Sequence, residues 1–287
     1  MIQVPEGLYE IGTNGTDGFL ADREGPKISI DLPGYMMDET TVTNASFGEF
    51  VVATGYTTEA ERFGWSFVFH YFLDEATKNR SRLVPNMSWW YAVEGADWRH
   101  PEGPLSSLKD RMDHPVVQVS RNDAVAYCQW AGKRLPTEAE WEVAAKGGTT
   151  REKYPWGTEL LEGSQHHCNI WQGDFPMLND SSDGYAGTAP AKHYDPNGYD
   201  IYQMIGNVWE WCSNPARIDL ADFQTKSGKY FWQNFQTADD GLYAIRGGSF
   251  LCHQSYCKRY RIAARNGNSG MSAANNIGFR CIKDLLG

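Results

Sequence analysis

Apolar and polar positions alternate along this chain without a sustained period, and the stretches that hold a register are short. Three of them predict helices. Thr43 can cap a segment running to about Ala53, in which Phe47, Phe50 and Val51 fall at i, i+3 and i+4 and Gly55 follows the end. Asn122 can cap a second, with Val125, Cys128 and Ala131 on one face and Gly132 as its stop. Thr137, with Glu140 three residues on and Pro136 just before, carries the reciprocal capping signature and predicts a helix to about Lys146, ended by Gly147-Gly148. Runs at Ile28 to Leu32, Val116 to Val119 and Ala244 to Phe250 predict strands.

From Arg62 to Pro104 the chain is aromatic and nearly without pattern, with Phe63, Trp65, Phe67, Phe69, Tyr71, Trp89, Trp90 and Trp98. Loops of that length tend to be functional. Most of these rings are expected to fill a core poor in helix and sheet, and the rest could wall a peptide-binding site. No internal repeat or low-complexity linker breaks the chain, so residues 1–287 are expected to form one loop-rich α+β domain with little regular structure.

Composition narrows the partners. The 36 Asp and Glu against 26 Lys and Arg give a net charge of -10 with no basic block, which argues against nucleic acid. An acidic surface favours cationic ligands, such as a peptide carrying Arg, although excess acid also serves solubility. Met1 to Leu20 is broken by Pro5, Gly7, Gly12, Gly15 and Gly18 and has no signal-peptide core, and no apolar run is long enough to span a membrane. A cytoplasmic protein with no membrane partner is the expectation, and a monomer with it. Six Cys stand at 128, 168, 212, 252, 257 and 281, and a reducing compartment argues against reading all of them as a disulfide framework.

The chemistry concentrates in Gly247-Gly248-Ser249-Phe250-Leu251-Cys252-His253-Gln254-Ser255-Tyr256-Cys257, where two thiols stand five residues apart beside a glycine turn. Two thiolates make a poor zinc site, which wants three or four protein ligands. They suit Cu(I), a soft ion that leaves room for a third sulfur from a substrate. A redox couple exchanging disulfides is an alternative. So is a plain disulfide, or two buried free thiols.

The segment from Gly247 to Cys281 closely resembles the C-terminal signature of the formylglycine-generating enzymes, the sulfatase-modifying factors. Similar runs occur in order along nearly the whole chain, among them Gly64 to Phe69, Trp98 to Pro104, His114 to Val117, Asn122 to Glu142, Tyr154 to Gly157, Asn169 to Gly173 and Gly206-Asn207-Val208-Trp209-Glu210-Trp211. The resemblance implies a variant of the C-type lectin fold. The implied activity is oxidation of one Cys in a sulfatase Cys-x-Pro-x-Arg segment to formylglycine, with molecular oxygen and a thiol reductant. Cys252 and Cys257 match the family's catalytic thiols and would hold Cu(I); Ser249 and Asn276 match its polar pocket residues. His253, Tyr256 and Arg261 are further candidates, His253 either lowering the Cys252 pKa or packing locally.

Two Ca2+ sites are implied as well: Asn169, Ile170, Asp183 and Tyr185 for the first, and Gln203, Gly206, Val208 and Glu210 for the second, where Gln203 replaces a more usual Asn. Oxygen donors of this kind suit a hard cation. Glu210 has a plainer reading, as a carboxylate satisfying backbone donors. Where some members carry a second disulfide this chain has Ile262 at one end and, near Ala144, no Cys at the other, while a bridge between Cys128 and Cys281 is left open; Cys168 and Cys212 read as buried free thiols. Arg121 and Gly270-Met271 also depart from the family pattern. Two other functions share the scaffold, a noncatalytic lectin-like binding module and an iron enzyme joining sulfur to histidine derivatives. The thiol pair separates the first, and the second needs a helical domain for which no residues remain.

Overall fold

A computed structural model describes residues 1–285 except Asn86, Glu152, Ala238 and Asp240. The two ends of the chain are sewn together. Tyr35–Met37 is the middle strand between Ile2–Val4 and Ile282–Asp284, antiparallel to both. Gly7–Ile11 and Ile28–Leu32 pair as an antiparallel two-stranded ribbon, in which the second strand is the one expected from the pattern. The largest sheet has the order Asn266–Ser269, Leu242–Arg246, Trp209–Pro215, Ile277–Gly278, antiparallel except for its last pair.

The predicted helices form, each for a local reason. Asn44–Thr54 is capped by the Thr43 hydroxyl, which accepts from the Ser46 N–H at 3.3 Å, and ends at Gly55 in the left-handed region. Glu138–Lys146 has the full capping box between Thr137 and Glu140 and stops at Gly147. The remaining one, Arg121–Trp130, starts two residues earlier than expected. Its cap is Ser120, not Asn122, because Asp123 at the third helical position returns a bond to the Ser120 N–H at 2.8 Å and completes a capping box.

Two strand expectations are corrected. Val116 to Val119 does not join a ladder; Gln118 sits at φ 59°, which breaks extended pairing, and the Val116 and Gln118 N–H groups donate to Val42 and Ala274 instead. The strand expected over Ala244 to Phe250 is Leu242–Arg246, and the chain turns at Gly247 and Gly248, with φ of 95° and 79°. A Cβ on Gly248 would lie 3.1 Å from the Tyr260 Cα, so both dihedral and space require glycine there. The aromatic stretch is more ordered than its sequence suggests: Trp65–Phe69, Trp90–Glu94 and Arg82–Leu83 make a three-stranded antiparallel sheet. Phe69 and Trp98 enter the main core, where Trp98 meets Phe47 edge-on at 5.3 Å.

Every residue of Glu138–Lys146 is buried, including three carboxylates. Glu138, Trp141 and Glu142, spaced i, i+3, i+4, share one helix face and meet the back of the large sheet. Arg265 binds Glu138 through two bonds of 3.0 and 2.7 Å, and Arg246 binds Glu142 at 2.7 Å. The Trp141 Nε1 donates to Glu210 at 2.8 Å, and Arg280 grips the same carboxylate at 2.7 Å through each oxygen. Burial would push the Glu138 carboxyl up, but Arg265, Arg246 and Asn214 reverse that, so it lies below its ordinary range.

Arg121 is fully buried without a carboxylate. Its guanidinium donates to the Cys212 and Ser213 carbonyls, which lie where the register with Leu242–Arg246 shifts, and it stacks 4.3 Å over the Tyr243 ring. Its N–H also donates to Gly270 O, so these two departures from the family pattern touch each other. Ile262 and Ala144 are fully buried in the apolar core. Cys128 and Cys281 are free thiols with sulfurs 3.3 Å apart, and Cys168 and Cys212 are buried free thiols as expected.

Removing one member of the buried frame should expose its cost. Glu138→Leu leaves Arg265 charged and unpaired in the interior and is expected to lower unfolding free energy by about 3–5 kcal/mol. Urea denaturation checks this, with the Glu138→Leu/Arg265→Met double variant recovering most of the loss.

Candidate functional site

Alternation in the large sheet separates frame from site. Trp209 pairs with Ile277, and Ile245 pairs with Asn266, while Glu210 pairs with Arg246 on the opposite face. The first four residues line a cavity of about 310 Å³. Glu210 and Arg246 face the helix behind. The rest of the cavity wall comes from the loop after Gly248, from Ser272, Ala274 and Asn276, and from Phe67, Met87 and Trp90 of the aromatic region. The peptide-wall expectation therefore concerns Phe67 and Trp90, with Trp89 packed edge-on against Tyr256 at 5.0 Å.

Cys252 and Cys257 both line this cavity, with their sulfurs 2.7 Å apart. The loop brings them together because the His253 carbonyl accepts from both the Tyr256 and Cys257 N–H groups, folding the intervening residues into a tight turn. The Cys252 N–H donates to Ser249 O at 2.8 Å. Ser249 and Asn276 are joined, the Asn276 amide donating to the Ser249 hydroxyl at 3.0 Å. All four residues expected to carry catalysis thus share one wall.

The two thiols are electrostatically unequal. Burial pushes the Cys252 thiol well up, and its S–H donates to Cys257. Accepting that bond holds Cys257 below its ordinary range against the opposing effect of burial, and Arg259 adds further hydrogen bonds and positive charge. Arg259 is fixed by Asp22, to which its Nε donates at 2.5 Å, and by the Phe19 ring 4.2 Å away.

Of the less certain candidates, Tyr256 lines the cavity and stacks on Phe175 at 4.6 Å. His253 bonds the Ser255 hydroxyl at 2.8 Å, as the local-packing alternative expects, and the cation beside Cys257 is Arg259. Arg261 binds Glu24 through two 2.8 Å bonds and braces the loop from behind. Arg259 was legible as a basic neighbour two residues after Cys257; Asp22, 237 residues away, gave no signal.

Residues of the first proposed Ca2+ set are linked through the Asp183 carboxylate. The Asp183 carboxylate accepts from the Ile170 N–H at 3.0 Å and the Tyr185 N–H at 3.3 Å, and the Asn169 amide donates to Gly187 O at 2.7 Å. The Asn169 Oδ1 is buried and has no partner among the described residues, which suits a donor to a hard cation. In the second set the Gln203 Oε1 is likewise buried and unpartnered, while the Glu210 carboxylate is already taken by Arg280 and Trp141. Within this set Gln203 therefore keeps an open oxygen, while Glu210 serves the frame. His166 and His167 do not close a metal centre with Cys168; among the described residues no group of three His, Cys, Asp or Glu side chains could hold an ion.

Comparison with known proteins follows the same lines. The model of the sulfatase-modifying factor enzyme 1-like domain matches residues 1–285. A formylglycine-generating enzyme of Thermomonospora curvata is 49% identical over 286 residues, covering 100% of this chain and 94% of that protein. The mouse formylglycine-generating enzyme is 47% identical, with 100% and 75% covered. A bovine protein named inactive C-alpha-formylglycine-generating enzyme 2 is 40% identical, with 98% and 87% covered. Among solved structures, PvdO from Pseudomonas aeruginosa superposes with a TM-score of 0.69 at 22% identity over 99% of this chain and 93% of its own, which speaks for the fold alone. Among the described residues no helix is long and apolar enough to cross a membrane.

The thiol asymmetry predicts a labelling order. Iodoacetamide should modify Cys257 before Cys252, at a pH below that for an ordinary thiol, and Arg259→Leu should move the midpoint upward by removing a donor and a charge. Mass mapping against pH checks both.

Proposed function

Because the chain belongs to the sulfatase-modifying factor enzyme family, we propose that it converts a cysteine of a sulfatase polypeptide to Cα-formylglycine, with Cu(I) held by Cys252 and Cys257. A relative named as inactive is 40% identical over nearly the whole chain, so family likeness alone does not carry activity. The observation that carries it is the pair of sulfurs, 2.7 Å apart, on the wall of the main cavity. A binding module on this scaffold would have no use for that arrangement. Fold by itself leaves the choice open.

The overall change balances. The substrate cysteine loses two electrons and two hydrogens, one from Cβ and one from sulfur, becoming a thioaldehyde, and two molecules of a thiol reductant give a second electron pair as they join in a disulfide. Molecular oxygen accepts all four electrons and leaves as water. Addition of one water to the thioaldehyde releases hydrogen sulfide and gives the aldehyde. When bound, Cu(I) supplies the electron transfer to oxygen that closed-shell thiols cannot perform alone.

The chain's own residues do the rest. Cys257, already disposed to lose its proton, and Cys252 present two soft donors to one side of the cavity. The Ser249 hydroxyl and Asn276 amide, fixed on each other, orient the reacting sulfur by hydrogen bonding. Trp90, Trp209, Phe67 and Leu251 exclude water around the substrate Cβ. Positioning of this kind is worth about 7 kcal/mol or more in the best intramolecular cases. Ca2+ at Asn169, Ile170, Asp183 and Tyr185 would satisfy the orphaned Asn169 oxygen and brace the loops behind the cavity, and Gln203, Gly206 and Val208 offer a second position.

Cys252→Ala and Cys257→Ala are each expected to abolish aldehyde formation on a Cys-x-Pro-x-Arg peptide, read by mass, with melting temperature little changed; turnover retained in either would end the dithiol assignment. Anaerobic titration should give one Cu(I) per chain in the parent and a lost or much weakened site in both variants. Chelation of Ca2+ should lower the melting temperature and re-addition restore it, as measured by scanning calorimetry.

A further inference from the structure

The polar groups of the cavity divide into those that serve the thiols and the reacting sulfur and those with no part in that chemistry. The Ser249 hydroxyl accepts from the Asn276 amide, and the Arg259 guanidinium is paired with Asp22. By contrast, among the described residues no hydrogen bond engages the side chain of Asn266. Asn268 uses only its Oδ1, which accepts from the Ser269 N–H at 3.0 Å, so its amide hydrogens are unspent. Both residues line the cavity and both are half-buried.

They are also spaced for a purpose. Asn266–Ser269 is an edge strand of the large sheet, paired on one side with Leu242–Arg246. Residues i and i+2 of a strand share a face and stand about 6.6–6.8 Å apart. Alternate peptide groups of any extended chain repeat at the same distance. A carboxamide carries the donor and acceptor of a peptide group, so two of them at this interval match the main chain of an extended segment whatever its side chains. The cavity wall has no carboxylate, and its one guanidinium is spent, so recognition at this point is neutral.

We propose that Asn266 and Asn268 read the main chain of the substrate polypeptide, holding it extended along the Asn266–Ser269 strand so that its cysteine reaches Cys252 and Cys257. This rests on the activity proposed above and adds two positioning residues to it. They act on the substrate backbone, away from the reacting sulfur. Gly267 between them faces the other side of the strand, where an added Cβ would lie 2.4 Å from the Ala216 Cβ, so the strand packs closely there while its two amides stand on the cavity side.

The test uses binding, which needs neither copper nor oxygen. A fluorescein-labelled Ser-x-Pro-x-Arg peptide, unable to react, is titrated with the full chain and followed by anisotropy, beside a panel in which each main-chain nitrogen is methylated in turn. Asn268→Asp keeps the acceptor for the Ser269 N–H but loses both amide hydrogens, and Asn266→Ala removes the whole group. Each is expected to weaken binding about fivefold, the ordinary worth of one hydrogen bond. In turnover of the cysteine peptide, KM should rise by a similar factor with kcat little altered. The decisive readout is coupling: one methylated position that weakens binding to the parent should carry no penalty with Asn266→Ala. A methylation profile identical in parent and variant, or unchanged affinity in both variants while turnover continues, overturns the inference and leaves the activity standing. Failure of the parent chain to bind or convert the peptide overturns both.

Discussion

The site depends on carboxylates buried where a hydrophobic helix face would be expected. Glu138 and Glu142 project from a wholly buried helix onto Arg265 and Arg246, while Arg280 grips Glu210 within the sheet itself. Three of these six stand one residue from a cavity group: Arg246 follows Ile245, Arg265 precedes Asn266, and Glu210 follows Trp209. Buried ion pairs contribute little net stability compared with apolar packing, but breaking one is costly, so they admit few alternative registers. A one-residue slip in any of these strands would bury Ile245 or Trp209 against carboxylates and turn charge into the cavity. The frame thereby fixes which residues face the thiols.

On the cavity side the same economy governs polar groups. The loop from Gly247 to Cys257 belongs to no ladder, and it is held by its own turn bonds and by Arg261 on Glu24 and Arg259 on Asp22. Both acids come from the N-terminal region, which the end-to-end pairing of Ile2–Val4 and Ile282–Asp284 across Tyr35–Met37 keeps close. Arg259 serves twice, as a brace and as the positive charge beside Cys257. One sulfur then donates and the other accepts, a polarity that two equivalent buried thiols would lack.

Much of this was legible in the chain, and what was not has a common cause. Capping chemistry is local, so Thr43 and the Thr137–Glu140 box could be read directly; Ser120 was missed because Asp123, as a shorter partner, was not recognised as completing a box. The convergence of Ser249, Cys252, Cys257 and Asn276 was carried by resemblance to a known family, since Asn276 is 27 residues from Ser249 and nothing local joins them. Alternation in Trp65–Phe69 was hidden because Ser66, Val68 and Phe69 are buried while Trp65 and Phe67 are only half-buried, so large rings fall on the less covered face. Arg259 with Asp22, and the open amides of Asn266 and Asn268, depend on long-range placement that residue patterns do not encode.

Separation of the two sheet faces also lets the frame and the thiol loop vary apart, and a relative named as inactive is 40% identical over nearly the whole chain. Frame contacts run through Glu138, Glu142, Arg246, Arg265, Glu210 and Arg280, none of which requires a sulfur. The thiols lie on a loop that follows the glycine turn and meets the sheet only from its other face. Substitution there removes chemistry while leaving the ladders, the buried pairs and the capped helices intact. Fold and chemistry are therefore independent constraints on this sequence: the frame fixes the sheet from behind, and the two sulfur atoms lie on its open side.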